Sequence, residues 1–416
     1  VHHRSYSRVS FFFLAVAIMA PCPIAHARDA SYYNTQGLEL YRAGDYAAAV
    51  KEFNRAYSIE PDNEAIRSNL ANAHLAAAKE FVEANDLDAA ISELSAALDL
   101  RDDDPTLYVY TASLCLSTGD LPSAEDRLLS ALAIDPEHKD AHVLLGEVYY
   151  RRGSLPEAIE QWKWVHDLDP SDEQVSELLA KAERELEVEK HFVTEYNRRH
   201  FIINRDRANF EKESRTILDI LERAYYDIGR DLQHFPRNPV QVLLYSTEQF
   251  SIATLANCHV AGLYDGKIRV PLNPEGFDED KLKQVLRHEY THVIVRELTG
   301  DKTPFWLNEG LAQYESELLD ENKRRILENA LKNRELIPLE DLDKAQIDLE
   351  GDPGRLHLAY LEGFATVSYL RRRFTRHRLF SFMDLLGQGC DTETALQQIY
   401  RRSYKQLHRD VFSEYR

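Results

Sequence analysis

The chain has 416 residues, room for two or three domains, and its 70 Asp and Glu against 50 Lys and Arg leave a net charge of −20. That charge argues against nucleic acid and anionic membrane surfaces as partners. Four cysteines in so long a chain make no disulfide framework, and none has zinc-site spacing.

Residues 1–27 read as a secretory signal. Arg4 and Arg8 form a basic start, Phe11 to Ala20 is an apolar run too short to span a bilayer, and Ala25-His26-Ala27 fits the small-x-small cleavage rule. The mature chain is expected to begin at Arg28 and to be exported, periplasmic or secreted, or membrane-associated if the signal stays uncleaved. No later run is apolar enough to make a transmembrane segment. Setting aside Cys22 leaves Cys115, on an apolar helical face and expected to be buried, and Cys258 and Cys390, open either to pairing or to remaining thiols.

Residues 31–170 repeat. Ala90, Ala124 and Ala158 are 34 apart, as are Leu94, Leu128 and Trp162, and Pro136 and Pro170 close two units. Gly119-Asp120-Leu121-Pro122 and Gly153-Ser154-Leu155-Pro156 mark matching turns. An earlier unit with Gly37, Gly44, Ala49, Phe53, Ala56 and Pro61 is followed by seven extra residues. This pattern resembles the tetratricopeptide repeat, which implies two antiparallel helices per unit and a solenoid over residues 28–190. Small Ala lets paired helices approach, and the large residue four positions on fills the gap between units. The concave groove of such a solenoid holds a peptide or partner protein, or the array serves as a spacer. Residues 171–190 read as a charged capping helix into the next domain. Because repeat units contact only their neighbours, 28–190 is expected to fold alone.

From His191 the pattern changes. Phe201-Ile202-Ile203 reads as a strand, Glu211 to Asp231 as an amphipathic helix, Val240 to Tyr245 as a second strand, and Val260 to Leu272 as a hairpin around Asp265-Gly266. A helix follows, with Asp278 as N-cap and Gly300 at its end. It carries His288-Glu289-Tyr290-Thr291-His292. Two His at i and i+4 project from one face, close enough for both imidazoles to reach one Zn²⁺. Glu289 beside them is placed to take a proton from a water on the metal. Glu309, on a second helix that Thr303-Pro304 is expected to start, is the third ligand candidate.

His288 to His292, followed by Phe305-Trp306-Leu307-Asn308-Glu309-Gly310, resembles a gluzincin metallopeptidase and, more closely, the bacterial peptidase MA-like group. The resemblance covers roughly Phe192 to the C-terminus. It implies one zinc per chain on His288, His292 and Glu309, Glu289 as general base, and a later Tyr that stabilises the tetrahedral intermediate. Ala359-Tyr360-Leu361-Glu362-Gly363-Phe364 makes Tyr360 that candidate, beside a plain packing role. Gln313, one turn after Glu309, stands where larger relatives often carry an acid. In the family an edge strand before the metal helix pairs with substrate backbone, and Ala261-Gly262-Leu263-Tyr264 is the nearest stretch, beside the reading of an ordinary hairpin. No Glu of the aminopeptidase kind is seen there, which tilts the reading toward an endopeptidase. Glu362 to Arg373 continues one helix, and Thr392 to Tyr415 forms a last helix or pair.

The expected fold is thus mainly α with an α+β catalytic domain: a repeat solenoid over 28–190 and a gluzincin-like metallopeptidase domain over 191–416. The expected function is zinc-dependent hydrolysis of a peptide or protein substrate through a zinc-activated water, with the repeats recruiting substrate or partner. The alternatives are a binding scaffold with an inactive peptidase-like domain, or a structural zinc. The intact Glu289 argues against both.

Overall fold

The computed structural model describes residues 29–84, 86–197, 199–255, 262–273, 276–300, 303–317, 320–343 and 352–415. The signal-like segment 1–27, Cys258 and Ala261 lie outside the described residues. Among the described residues, nine helices come first: α1 (Ala30–Arg42), α2 (Tyr46–Ile59), α3 (Glu64–Glu83), α4 (Leu87–Leu100), α5 (Pro105–Ser117), α6 (Leu121–Ile134), α7 (Lys139–Arg152), α8 (Leu155–Leu168) and α9 (Glu173–Glu189). Asp45, Asp86, Asp104, Asp120 and Asp172 each cap a helix by accepting the backbone N–H three residues on. Gly44, Gly119 and Gly153 turn the chain between paired helices at φ 81°, 77° and 81°, a conformation that disfavours any Cβ.

Packing divides the chain between Ala73 and His74, inside α3. In the first unit the Phe53 ring lies against Gly37, where an added Cβ would meet ring carbons at 2.6 Å. In the second, Ala90, Ala124 and Ala158 are fully buried, and Leu94, Leu128 and Trp162 fill the spaces beside them. The seven extra residues lengthen α3, which has 20 residues against 13 in α1 and α5. Cys115 is buried, as expected.

A five-stranded sheet follows, in the order β1-β2-β3-β5-β4: β1 (Phe192–Asn197), β2 (Phe201–Asp206), β3 (Val240–Ser246), β4 (Leu263–Tyr264) and β5 (Ile268–Leu272). β2 and β3 are parallel, joined by α10 (Glu211–Leu232). β3 and β5 are also parallel, and β4 turns back antiparallel on β5 through Gly266 at φ 106°. β1 was not foreseen, nor was α11 (Thr247–Thr254). The latter opens with a capping box in which Ser246 and Gln249 each bond the other's backbone. One sheet face, with Ile203, Val242, Leu244, Ile268 and Val270, joins the main core with α10 and the metal helix. The other presents Leu243 and Tyr245 to Val188 of α9 and Phe250 of α11, with Leu263 in the same cluster.

Here one expectation is corrected, that repeat units contact only their neighbours. α9 is the expected charged helix leading into the next domain, and its Glu185 is fully buried and pairs with Arg269 of β5 at 2.8 Å. The last repeat helices therefore contact more than their neighbours, because their charged side chains meet opposite charges on the sheet.

The remaining helices are α12 (Glu279–Thr299), α13 (Phe305–Ser316), α14 (Glu321–Asn333), α15 (Leu339–Asp343), α16 (Pro353–Arg373), α17 (Arg376–Gly387), α18 (Thr392–Tyr400) and α19 (Tyr404–Phe412). They close over the core through residues such as Leu286, Ile294, Leu311, Ala365 and Phe382. No helix among the described residues is long and apolar enough to cross a membrane.

Candidate metal centre

α12 begins at Asp278, whose carboxylate accepts the N–H groups of Asp280 and Lys281, and ends at Gly300 with φ 62°. Between them the helix buries Leu286, Val293 and Ile294 and turns His288 and His292 toward α13. Their rings stand 4.8 Å apart. α13 starts at Phe305 without a side-chain cap: Thr303 pairs its hydroxyl with Thr299 instead, so the expected Thr303 cap is not formed. Glu309 one turn in brings Oε2 to 3.4 Å from His288 Nε2 and 3.7 Å from His292 Nε2. One donor atom from each of the three lies within 4.8 Å of the others.

The donor chemistry suits a divalent ion that takes nitrogen and oxygen ligands. His292 Nδ1 lies 3.0 Å from Asn308 Oδ1, which assigns the proton to Nδ1 and turns Nε2 toward Glu309. Burial holds the His292 pKa down, so the ring is poised as a neutral ligand. Burial would raise Glu309, but its hydrogen bond to His288 and the charges of both imidazoles hold it below the usual carboxylate value. Burial works to lower His288, yet the hydrogen bond and charge of Glu309 outweigh it and raise the pKa. An ion here would replace the proton that His288 and Glu309 share.

Glu289 is buried beside this triad, and burial pushes its carboxyl up to about 7. The Tyr264 backbone of β4, close by, works weakly against that rise. Gly262, just before β4, packs so close that an added Cβ would lie 2.9 Å from Glu289 Cγ and Oε1 and 2.8 Å from Val285 Cγ1. All these groups line one cleft of about 460 Å³, together with Leu263, Arg296, Thr303 and Tyr360.

Residues 235–411 match the family model described as Peptidase MA superfamily, and residues 37–77, 75–137 and 116–182 match three tetratricopeptide repeat models. The chain carries tetratricopeptide repeats and a Peptidase MA superfamily domain. Among solved structures, one of MamA protein is 20% identical, covers 37% of this chain and 80% of its own, and has a TM-score of 0.28. The thermophilic TPR protein TTC0263 of Thermus thermophilus is 21% identical over 37% of this chain and 98% of its own, with a TM-score of 0.23. The P58(IPK) TPR domain is 13% identical over 93% of this chain and 78% of its own, with a TM-score of 0.29. Among curated proteins nothing matches.

Within the Peptidase MA domain, Tyr360 of α16 lies on the cleft wall with its ring 5.5 Å from Phe305. Burial, with the charges of Glu309 and Glu289 added, raises its pKa far above the usual tyrosine value, so the phenol keeps its proton. Gln313 Oε1 is buried without a hydrogen-bond partner among the described residues. Sequence reasoning did not single out Arg296, although it stands one turn after His292 on the same helical face. Its guanidinium lies 6.0 Å from the Tyr264 ring centre, over the end of the cleft.

Proposed function

We propose that the chain is an exported zinc metallopeptidase in which His288, His292 and Glu309 hold the metal and Glu289 is the general base. The observation that carries this reading is Glu289 itself, which faces the cleft beside the three donor groups without being one of them. A structural metal site has no use for such a carboxylate. Zinc, when bound, supplies Lewis acidity toward a carbonyl oxygen and lowers the pKa of water at the site. Glu289 takes a proton from the attacking water as the C–O bond forms, and gives it to the departing amine as the C–N bond breaks. Tyr360, which keeps its proton, donates to the oxygen on which charge develops. Asn308 fixes the His292 ring. The β4 edge borders the cleft and offers backbone groups to an extended chain whatever its ends, which supports endopeptidase action. The tetratricopeptide repeats support recruitment of a protein substrate or partner.

The test is incubation of the full-length protein with an unstructured protein substrate, before and after chelation and after zinc is restored. Cleavage that is lost and then regained is the expected result. A metal-loaded protein that cleaves nothing, yet binds a partner through residues 31–170, makes it a binding scaffold instead. Export is tested by cell fractionation and by sequencing the mature N-terminus, expected at Arg28.

A further inference from the structure

The β4–β5 hairpin that borders the cleft is tied on its other side to the repeat array. Arg269 of β5 is fully buried and is surrounded by carboxylates from two directions. Its guanidinium meets Glu185 at 2.8 Å and Glu189 at 3.3 Å, both on α9, and Asp265 in the hairpin turn at 3.0 Å. It also donates to the hydroxyls of Tyr245 at 2.6 Å and of Tyr150, on α7, at 3.0 Å. Tyr150 in turn donates to Glu185 at 2.6 Å. Lys267, also buried, lies 3.4 Å from Glu185 and 4.1 Å from the centre of the Tyr150 ring. Nearer the rim Lys181 of α9 pairs with Asp265 at 2.7 Å. Three carboxylates thus face three cations, and the pairs of Arg269 with Glu185 and Glu189, of Lys267 with Glu185 and of Lys181 with Asp265 cross between α9 and the hairpin. So dense a set of buried, directional bonds fixes geometry rather than adding net stability.

The hairpin has one further partner. Leu263 pairs with Arg269 and packs in one cluster with Val188 of α9, while Gly262, the residue before it, packs directly on Glu289, where an added Cβ would lie 2.9 Å from Cγ and Oε1. Glu185 is therefore linked to the Glu289 carboxylate through one ion pair, one rung of sheet and the close packing of the β4 backbone on Glu289. The three metal-ligand candidates are reached by a different route, from α12 and α13.

We propose that Glu185 and Arg269 are positioning residues: through their ion pair the repeat array holds β4 where its backbone orients Glu289. This inference rests on the cleft being the reaction site, and it makes the repeats a part of the working peptidase and not only a recruiting arm. In the full-length protein, Glu185→Gln should leave zinc content unchanged. It should also speed hydrogen exchange of the Tyr264 amide by at least about tenfold, while amides of α13 exchange as in wild type. The rate of peptide hydrolysis should fall by about tenfold, mostly in kcat. Lys181→Met, which breaks the rim pair, should fold normally and change the same readouts in the same direction by a smaller factor. Arg269→Lys, which keeps the charge, should sit between wild type and Glu185→Gln. Unchanged exchange at Tyr264 in both the Glu185 and Lys181 variants overturns the proposal. So does acceleration spread equally over Tyr264 and α13, which would mark a purely structural role. If exchange changes as expected but wild type hydrolyses no peptide, the hairpin linkage stands and the peptidase reading of the cleft falls.

Discussion

Gly310 of α13 and Gly363 of α16 touch backbone to backbone. A Cβ on Gly310 would lie 2.6 Å from the Gly363 carbonyl carbon, and one on Gly363 would lie 2.7 Å from the Trp306 carbonyl oxygen. Glu309 and Tyr360 flank this crossing, so the two glycines let both side chains reach one cleft. Gly310→Ala should push the helices apart, destabilise the domain by about 1–3 kcal/mol and weaken metal binding. Thermal melts and metal analysis check this, and a variant with normal melting and full metal would show that the crossing has slack.

Metal content tests the ligand set directly. His288→Ala, His292→Ala and Glu309→Ala should each lose zinc, and full occupancy in any one of them removes that residue from the set. Asn308→Ala should bind zinc about 10–100-fold more weakly, because the His292 ring loses the acceptor that turns Nε2 into the site.

Two variants separate chemistry from binding. Glu289→Gln keeps the shape of the side chain but cannot accept a proton, so the rate should fall by about 10²–10⁴ with zinc retained. Tyr360→Phe should lower kcat by roughly 10²–10³ with little change in substrate affinity. Equal cleavage by wild type and Glu289→Gln would defeat the proposed mechanism.

Glu362 makes a pH prediction away from the cleft. It is fully buried, with one carboxylate oxygen accepting the Ile337 N–H at 2.9 Å and the other 3.9 Å from His408 Nε2. Burial pushes its carboxyl from 4.5 up to about 8. The folded chain then holds a proton that the unfolded chain releases. Its stabilising contribution is complete below about 4.5, falls as pH rises, and is gone above about 8. Glu362→Gln removes this dependence, so the stability of wild type relative to the variant should decline with pH by at most about 1.4 kcal/mol per unit in that window. Denaturant melts across the range measure it, and parallel curves would show that Glu362 is ionised throughout.

The parts of the fold that were legible in advance are those set by local spacing. The alanines 34 apart mark repeat helices because close helix packing excludes larger side chains. His288 and His292 share a face because four residues make about one turn. Sheet order was not legible, since it depends on which strands meet after the intervening helices pack. β1 was missed because Thr194 and Glu195 interrupt its apolar pattern. α11 was missed although Ser246 and Gln249 have capping-box spacing. The burial of Glu185 was also hidden. In sequence α9 is a charged stretch, and only the opposing Arg269 and Lys267, about 80 residues later, turn its carboxylates inward.

The two ends of the sheet are both poor templates for another strand. β4 is two residues long, and β1 carries a register shift between Thr194 and Tyr196. A short edge and a bulged edge deny a second copy the run of rungs needed for edge-to-edge stacking. The fold can therefore leave backbone open at its cleft without becoming a seed for aggregation. On the proposed peptidase reading, the same brevity limits an extended peptide to few backbone bonds at β4, which favours release of the cut ends.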